Sequence, residues 1–171
     1  MSGAERLAVR GDLLDFTGDP GFGRIDAPEV RHRPDHWLLV EKGRIVGAVP
    51  GEQVPGPDWQ REDHRGKLIT PGLIDSHVHS PQLDVIASYG TELLDWLETY
   101  TFPAEGLHAD EAATRHLAGY CLDALLASGT TAACVYPTVH RASVDALFEA
   151  AQQRGMRIVS GKILMDRFAP E

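Results

Sequence analysis

Strands and helices alternate in the second part of the sequence, and this pattern constrains the fold more than any other feature. The alternation consists of three β-rich runs (KLITPGLID, TTAACVYPT and MRIVSGKILM) and two segments with helical features, residues 110–127 and 143–153. Asp110 can cap the first helix, and Gly129 and Gly155 can end the first and the second. Short connections of this kind require parallel strands joined by right-handed crossovers. The pattern therefore predicts an α/β fold.

The first part of the sequence is predicted to be β-structure. The run WLLVEKGRIVGAV contains two β-rich halves around a Glu-Lys-Gly turn, in which Gly43 can adopt the left-handed conformation of a tight hairpin. Two shorter apolar pieces precede it, at residues 7–9 and 13–16. We therefore expect two domains of different architecture, residues 1–68 and 69–171.

Composition and charge argue against several classes of protein. Of the 171 residues, 43% are apolar and 24% are charged, and the net charge of −9 without a basic stripe argues against a nucleic-acid partner. Cys121 and Cys134 lie in apolar contexts without a CxxC pairing and are predicted to be buried, reduced thiols. No apolar run is long enough for a signal peptide or a membrane span, so we expect a cytoplasmic protein without a membrane partner.

Two histidines, His77 and His79, stand two positions apart at the carboxyl end of the first parallel strand, before a long connection of the kind that often handles substrate. Side chains two apart point the same way from a strand, so both imidazoles can share one metal ion at nitrogen–metal distances of about 2.1 Å. Asp75 would then face the same side, whereas Ile74 and Val78 would face the outer helices. The alternatives are a hydrogen-bonded structural pair, two surface histidines on an edge strand, or chance.

The remaining histidines give weaker signals. His140 follows the second parallel strand and could approach the same face, but a loop position is the simpler interpretation. His108 and His116 flank or occupy a helix and are predicted to be solvated or packed against it. Three others are interpreted as surface residues of the first part: His32, His36 and His64. The residues alone therefore identify no third metal ligand.

Longer motifs resemble a known family. PGLIDSHVHSPQ has the PG-[FL]-[IV]-D-x-H-x-H form of the amidohydrolase superfamily, metal-dependent hydrolases built on a (β/α)8 barrel, and LLVEKGRIVGAV resembles that superfamily's small β-sandwich domain. The runs LLDWLETYTFPAE, SGTTAACVYPTVH and GKILMDR are similar to the guanine deaminases within this superfamily. The resemblance implies that residues 1–68 are the N-terminal part of the β-sandwich. It also implies that residues 69–171 form the first three strands of an incomplete TIM-type barrel.

The resemblance implies an activity, a cofactor and site residues. The implied activity is the zinc-dependent, hydrolytic deamination of guanine to xanthine and ammonia. The implied full-length enzyme binds one Zn²⁺ and a small purine substrate, and is a homodimer. Residue by residue, His77 and His79 match the first two metal ligands, and Gln82 matches a residue that contacts the purine. The carboxamide of Gln82 offers both a donor and an acceptor to the edge of a base.

Other positions match less specifically. Asp75 matches the motif without being a ligand, which implies a structural hydrogen bond. Trp96, Tyr100 and Phe102 could line a base pocket or pack the core of the long connection. Phe168 departs from the family pattern, which usually has Asn after this motif, so a different local loop is expected.

The sequence contains only part of what this family uses. A (β/α)8 barrel needs about 250 residues, whereas 100 residues follow Pro71. In the family, later strands supply the other metal ligands, a Glu proton shuttle and an Arg for the base, so no catalytic residue is assigned here. We therefore expect an N-terminal fragment that is inactive alone. The alternatives are another deaminase or amidase of the superfamily (cytosine, triazine or methylthioadenosine type) and a non-catalytic domain that binds a purine or a partner protein.

Overall fold

A computed structural model describes residues 5–22, 24 and 26–165 of the chain. The chain divides into two compact units, Met1–Pro71 and Gly72–Glu171. Each unit is built on its own β-sheet, of four strands in the first unit and three in the second. Within the described ranges, no helix is both long and apolar enough to cross a membrane.

The first unit contains a four-stranded sheet with the strand order β3-β2-β1-β4. Its strands are β1 (Arg6–Phe16), β2 (Val30–Glu41), β3 (Arg44–Pro50) and β4 (Gln60–Ile69). β1 pairs antiparallel with β2 and parallel with β4, and β2 pairs antiparallel with β3. The β2–β3 hairpin closes through Lys42 and Gly43, whose φ angles of 51° and 72° are left-handed. The predicted hairpin and the role of Gly43 are therefore confirmed.

Two strands of the first unit are longer than the sequence predicted. The apolar pieces at residues 7–9 and 13–16 belong to one strand, because a register shift between Gly11 and Leu13 lets β1 continue through both. β4 includes the polar run QREDHRG, which forms an edge of the sheet and has exposed side chains. A strand exposed in this way shows no apolar alternation, so its sequence does not reveal it.

The second unit contains three parallel strands and intervening helices, as the alternation predicted. Of the predicted run KLITPGLID, however, residues 67–69 belong to β4 of the first sheet, and only residues 73–75 belong to the first strand of this unit. The strands are β5 (Leu73–His79), β6 (Thr130–Tyr136) and β7 (Arg157–Ser160), in the order β5-β6-β7. β7 is shorter than the predicted run, because residues 161–165 leave the sheet. The α/β class is thus confirmed for this unit, whose described strands form an open sheet.

The long connection after β5 is a series of short helical pieces. It begins with a 3₁₀ turn at Ser80–Val85 and continues through α1 (Leu93–Trp96), a π-helical turn at Leu97–Thr101, α2 (Phe102–Gly106) and a second 3₁₀ turn at Leu107–Ala109. α2 packs against the first 3₁₀ turn. The connection therefore folds back to the carboxyl end of β5.

The first long helix, α3 (Glu111–Ala127), has the predicted ends. The side chain of Asp110 accepts a hydrogen bond from the backbone N–H of Ala113 at 2.7 Å, which satisfies one of the free donors of the first turn. The helix ends before Gly129, which has a left-handed φ of 83°. Both capping predictions are confirmed.

The second long helix, α4 (Arg141–Arg154), begins two residues before the predicted Ser143. The residue at its N-cap is His140, and the Ser143 hydroxyl donates to the carbonyl of His140 at 2.7 Å within the first turn. The serine thus supports the start of the helix from inside it and does not cap it. The predicted end at Gly155, with φ of 66°, is confirmed.

The core of the second unit lies between α3, α4 and one face of the sheet. Its most buried side chains are Leu122, Leu147 and Val135, each at most 2% exposed. Cys121 is buried and Cys134 half-buried, and both are free thiols. Burial raises the pKa of the Cys121 thiol to about 11, so this thiol is protonated near pH 7.

Candidate functional site

The predicted histidine pair lies at the carboxyl end of β5, where the strand meets the long connection. The Nε2 atoms of His77 and His79 are 3.2 Å apart. The centroids of the two imidazole rings are 5.1 Å apart, and their planes are tilted by 59°. The two rings therefore converge through their Nε2 atoms.

A β-bulge positions His77. β5 pairs Asp75 with Ala133 and Val78 with Val135, so the step from one pair to the next covers three positions in β5 and two in β6. Within this irregular step, Asp75 Oδ1 accepts a hydrogen bond from the backbone N–H of His77 at 2.9 Å. A structural hydrogen bond is what the sequence led us to expect for Asp75.

The bulge also changes the predicted alternation along β5. We expected Ile74 and Val78 to face the outer helices together, with Asp75 on the histidine side. Val78 does pack against the core, but Ile74 is 78% exposed. Asp75 pairs with the core residue Ala133. The extra residue that β5 carries between Asp75 and Val78 inverts the alternation of side chains between the two ends of the strand. The prediction for Ile74 is therefore wrong.

Tyr136 packs against both imidazoles from the neighbouring strand. It is the last residue of β6, and its Cα is the register partner of His79. Its ring centroid lies 4.8 Å from that of His77 and 5.1 Å from that of His79, with interplanar angles of 41° and 18°. Tyr136 was not predicted as a site residue, although its place at the carboxyl end of the second parallel strand was a usable signal.

A cleft of about 440 Å³ opens beside the two histidines. This volume falls in the range of small-molecule sites, about 300 to 1,000 Å³. Its lining includes His77, His79, Gln82, Leu83, Ser88 and Trp96. The structure thus brings the predicted pair, Gln82 and Trp96 around one cavity within the second unit.

Hydrogen bonds and close packing within the long connection fix the position of the Trp96 indole. Its Nε1 donates to Ser88 Oγ at 2.8 Å, and the Ser88 hydroxyl in turn donates to the Val85 carbonyl at 2.7 Å. The chain also passes close to this side chain at Gly90, where an added Cβ would lie 2.6 Å from the Cβ of Trp96. Because the only hydrogen-bond donor of the indole is already used, the ring offers its π surface and apolar edges.

The side chain of Gln82 lies close enough to the Glu105 carboxyl group to influence its pKa. Burial raises the pKa of Glu105 on α2, and a hydrogen bond with the Gln82 side chain opposes that shift. A hydrogen bond that lowers a carboxyl pKa favours the ionised form, so an amide N–H of Gln82 directed at the Glu105 carboxylate would account for the opposing effect. In that orientation the Gln82 Oε1 atom would be available to accept a hydrogen bond from another group.

The electrostatics and geometry of the histidine pair fit a metal ion. Burial, and secondly the nearby His77, lower the pKa of His79 and favour the neutral imidazole that metals bind. Two nitrogens bound to one tetrahedral zinc ion at about 2.1 Å would lie about 3.4 Å apart, close to the observed 3.2 Å. The same separation fits an N–H···N hydrogen bond, the structural alternative. Among residues 5–22, 24 and 26–165, no group of three or more His, Cys, Asp or Glu side chains could hold a metal.

His140 and His108 are not among the residues that line the cleft. His140 occupies the N-cap of α4, in the loop position that the sequence favoured. His108 is packed inside the unit at 2% exposure, and neither ring nitrogen has a hydrogen-bond partner among the described residues. Burial, and then the nearby His140, lower its pKa, while Asp84 opposes the shift.

The other candidate residues are more ordinary. His36 is half-buried, with Nδ1 2.8 Å from the Pro34 carbonyl, and differs in this from the predicted surface residue. Tyr100 and Phe102 are half-buried and are not among the residues that line the cleft. Phe168 lies outside the described residues. Three histidines are exposed: His32, His64 and His116.

The chain is similar to guanine deaminases in sequence and structure. It is 42% identical over 180 residues to the guanine deaminase of Escherichia coli, an alignment that covers 100% of this chain and 40% of that protein. The solved E. coli guanine deaminase matches with a TM-score of 0.84 and 38% identity, covering 97% of this chain and 38% of that one. The guanine deaminase from C. acetobutylicum, solved with guanine bound in its active site, matches with a TM-score of 0.76 and 27% identity, again covering 97% and 38%.

The match to a family model covers the part of the chain that carries the histidine pair. The chain spans about two fifths of the length of the relatives named above. Residues 68–171, which include β5, β6 and β7, match the amidohydrolase family. The chain therefore belongs to the amidohydrolase family.

Proposed function

We propose that the chain carries part of the metal and base site of a guanine deaminase. The observation that carries this proposal is the convergence of the His77 and His79 Nε2 atoms, 3.2 Å apart, beside a cleft that Gln82 also lines. The 42% identity to E. coli guanine deaminase supports it. In the net reaction, the oxygen of water replaces the amino group at C2 of guanine, the C2–N bond breaks, and ammonia leaves with xanthine as the product.

The proposed architecture follows the same resemblance. Residues 1–68 correspond to the N-terminal part of a small β-sandwich domain, and residues 69–171 to the first β/α units of a (β/α)8 barrel. The parallel order β5-β6-β7 with α3 and α4 between the strands supports the second assignment. The match to E. coli guanine deaminase over 97% of this chain supports both. A homodimeric state and a cytoplasmic location stay predictions.

In this proposal His77 and His79 hold one zinc ion through their Nε2 atoms. When bound, zinc supplies a water that is activated near neutral pH. The neutral form of His79, which its lowered pKa favours, leaves a nitrogen lone pair available for the ion. A closed zinc site has about four ligands and a catalytic one about three from the protein. The described residues contain no cluster of three His, Cys, Asp or Glu side chains that could hold a metal. In this chain the two histidines would therefore hold an ion whose other positions are filled by water.

Gln82 and Trp96 hold the base in this proposal. With its N–H directed to Glu105, Gln82 presents Oε1 as an acceptor for an N–H group on the edge of guanine. Trp96 offers a ring surface against which a planar base can stack, since its own N–H is bonded to Ser88. A hydrogen-bond acceptor beside a flat apolar surface suits a purine with N–H groups on its edge.

Zinc-dependent binding of guanine tests the proposal. We expect the purified chain to bind Zn²⁺ and, with Zn²⁺ present, to bind guanine in preference to cytosine, adenosine and a triazine in equilibrium dialysis. Gln82→Ala should weaken guanine binding without changing the zinc content, whereas Gln53→Ala, an exposed residue of the first unit, should change neither. Equal binding of all four compounds, or full guanine binding by Gln82→Ala, would contradict the proposal.

A further inference from the structure

The ring of Tyr136 occupies a defined place relative to the two proposed ligands. Its Cα is the register partner of His79, and neighbouring strands lie about 4.8 Å apart, so the two side chains are adjacent. The planes of Tyr136 and His79 are only 18° from parallel, at a centroid distance of 5.1 Å. The same ring contacts His77 at a centroid distance of 4.8 Å. One aromatic side chain therefore touches both imidazoles.

An imidazole ring needs such a contact to keep its orientation. The terminal torsion of histidine is broad, so an unsupported ring on a strand end samples many directions of its Nε2 atom. A flat ring packed against the imidazole limits this rotation, because turning the imidazole would lose the stacking contact. His77 is exposed, and its backbone is held by Asp75, which leaves the direction of its ring to side-chain contacts.

We propose that Tyr136 is a positioning residue that holds the His77 and His79 imidazoles in the convergent arrangement required to bind one divalent cation. The inference rests on the metal site of the proposed function. Tyr136 acts through ring contact, so the aromatic ring and not the hydroxyl is the required part. The side chain is 38% exposed at the end of β6, so replacing it removes little from the core of the unit.

Zinc affinity of three variants tests the inference without any activity measurement. Competition with a chromophoric chelator should show that Tyr136→Leu weakens Zn²⁺ binding by about 10- to 100-fold, the loss typical when a residue that orients metal ligands is removed. Tyr136→Phe keeps the ring and should bind Zn²⁺ as the unmodified chain does. Tyr120→Leu is the matched control, since Tyr120 is 54% exposed on α3. The absorption spectrum of bound Co²⁺ should change in Tyr136→Leu and not in Tyr136→Phe.

The outcomes separate the inference from the metal site on which it depends. If the unmodified chain binds no Zn²⁺, both the site and the inference are wrong. If it binds Zn²⁺ through His77 and His79 but Tyr136→Leu binds equally well, only the inference is wrong. A Tyr136→Leu variant that loses its cooperative thermal transition is replaced by Tyr136→Met, for which the same weakening is expected. Equal losses in Tyr136→Phe and Tyr136→Leu would also contradict the inference, because the ring would then not be the required part.

Discussion

Asp75 Oδ1 lies 2.9 Å from the backbone nitrogen of His77 and accepts its hydrogen bond. The bond sits where β5 carries one more residue than β6, a place where a ladder bond is lost. A backbone donor without a partner is costly, so the carboxylate stabilises the bulge that carries the first histidine. The aspartate of the motif thus acts on the backbone of the site.

Replacing Asp75 by Ala should weaken both the bulge and the metal site. We expect the free energy of unfolding to fall by about 0.5 to 1.5 kcal/mol, the usual net value of one hydrogen bond, and zinc affinity to fall with it. Urea unfolding and chelator competition measure the two effects. Asp75→Asn retains an oxygen acceptor and should stay close to the unmodified chain, and equal losses in both variants would show that the hydrogen bond is not the cause.

Gly90 should be required for the position of Trp96. Its Cβ in Gly90→Ala would lie 2.6 Å from the Cβ of Trp96, so one of the two must shift. We expect guanine to quench tryptophan fluorescence in the unmodified chain, and this quenching to be reduced in Gly90→Ala. Gly106→Ala is the control, because nothing lies within 4 Å of the position that its Cβ would take. Normal quenching in Gly90→Ala would show that Trp96 does not need this approach.

Much of the second unit could be predicted because its signals are local. The Asp110 cap and the positive-φ Gly155 act within one helical turn of the residues they control. A few neighbouring residues are therefore enough to predict each of these helix ends. The same holds for Gly43 in the hairpin of the first unit. The pair His77 and His79 was recognisable from its spacing and motif, although its geometry was not.

The features that were missed depend on neighbours distant in sequence. The bulge in β5 exists only relative to β6, so the side on which Ile74 faces could not be read from alternation along one strand. The contact of Tyr136 with the histidines follows from the same pairing. Glu105 lies near Gln82 because the long connection folds back as a series of short helices. No periodic pattern in the sequence predicts these helices.

Glu105 should control the direction of the Gln82 amide. In Glu105→Gln the neighbour can donate as well as accept, so Gln82 is free to turn its oxygen away from the base. Guanine affinity should fall by about 2- to 10-fold, which corresponds to one net hydrogen bond, with zinc affinity unchanged. Dialysis against guanine measures the effect, and Glu98→Gln, at an exposed position of the same connection, is the control. Unchanged guanine affinity in Glu105→Gln would show that Glu105 does not control the direction of the Gln82 amide.

His108 should lower the stability of the chain. Both of its ring nitrogens are buried without a hydrogen-bond partner among the described residues, so His108→Phe should raise the free energy of unfolding. The expected gain is about 1 to 3 kcal/mol, the cost of an unsatisfied buried polar group. Denaturant unfolding near pH 7.5 measures it. His116→Phe, at an exposed position of α3, should show no such gain.

The gain from His108→Phe should grow in acid. Burial lowers the pKa of His108 in the folded chain below its unfolded value of about 6.5. The unfolded state then binds more protons, so stability is complete above about pH 6.5 and declines as the pH falls toward the folded pKa. The two proteins share His79, whose titration cancels in the difference between their curves. The difference reports His108 together with its interactions with His140 and Asp84. A difference that stays constant from pH 8 to about 5 would contradict this pH dependence.

Zinc titration of single histidine variants tests the central claim most directly. The unmodified chain and His116→Ala should each bind one Zn²⁺ per chain, because His116 is exposed on α3 and is not among the residues that line the cleft. His77→Ala and His79→Ala should each lower zinc affinity by more than about 100-fold, beyond the loss expected for a residue that only orients ligands. Zinc binding of equal strength in all four proteins would show that the two imidazoles are a hydrogen-bonded pair and not a metal site.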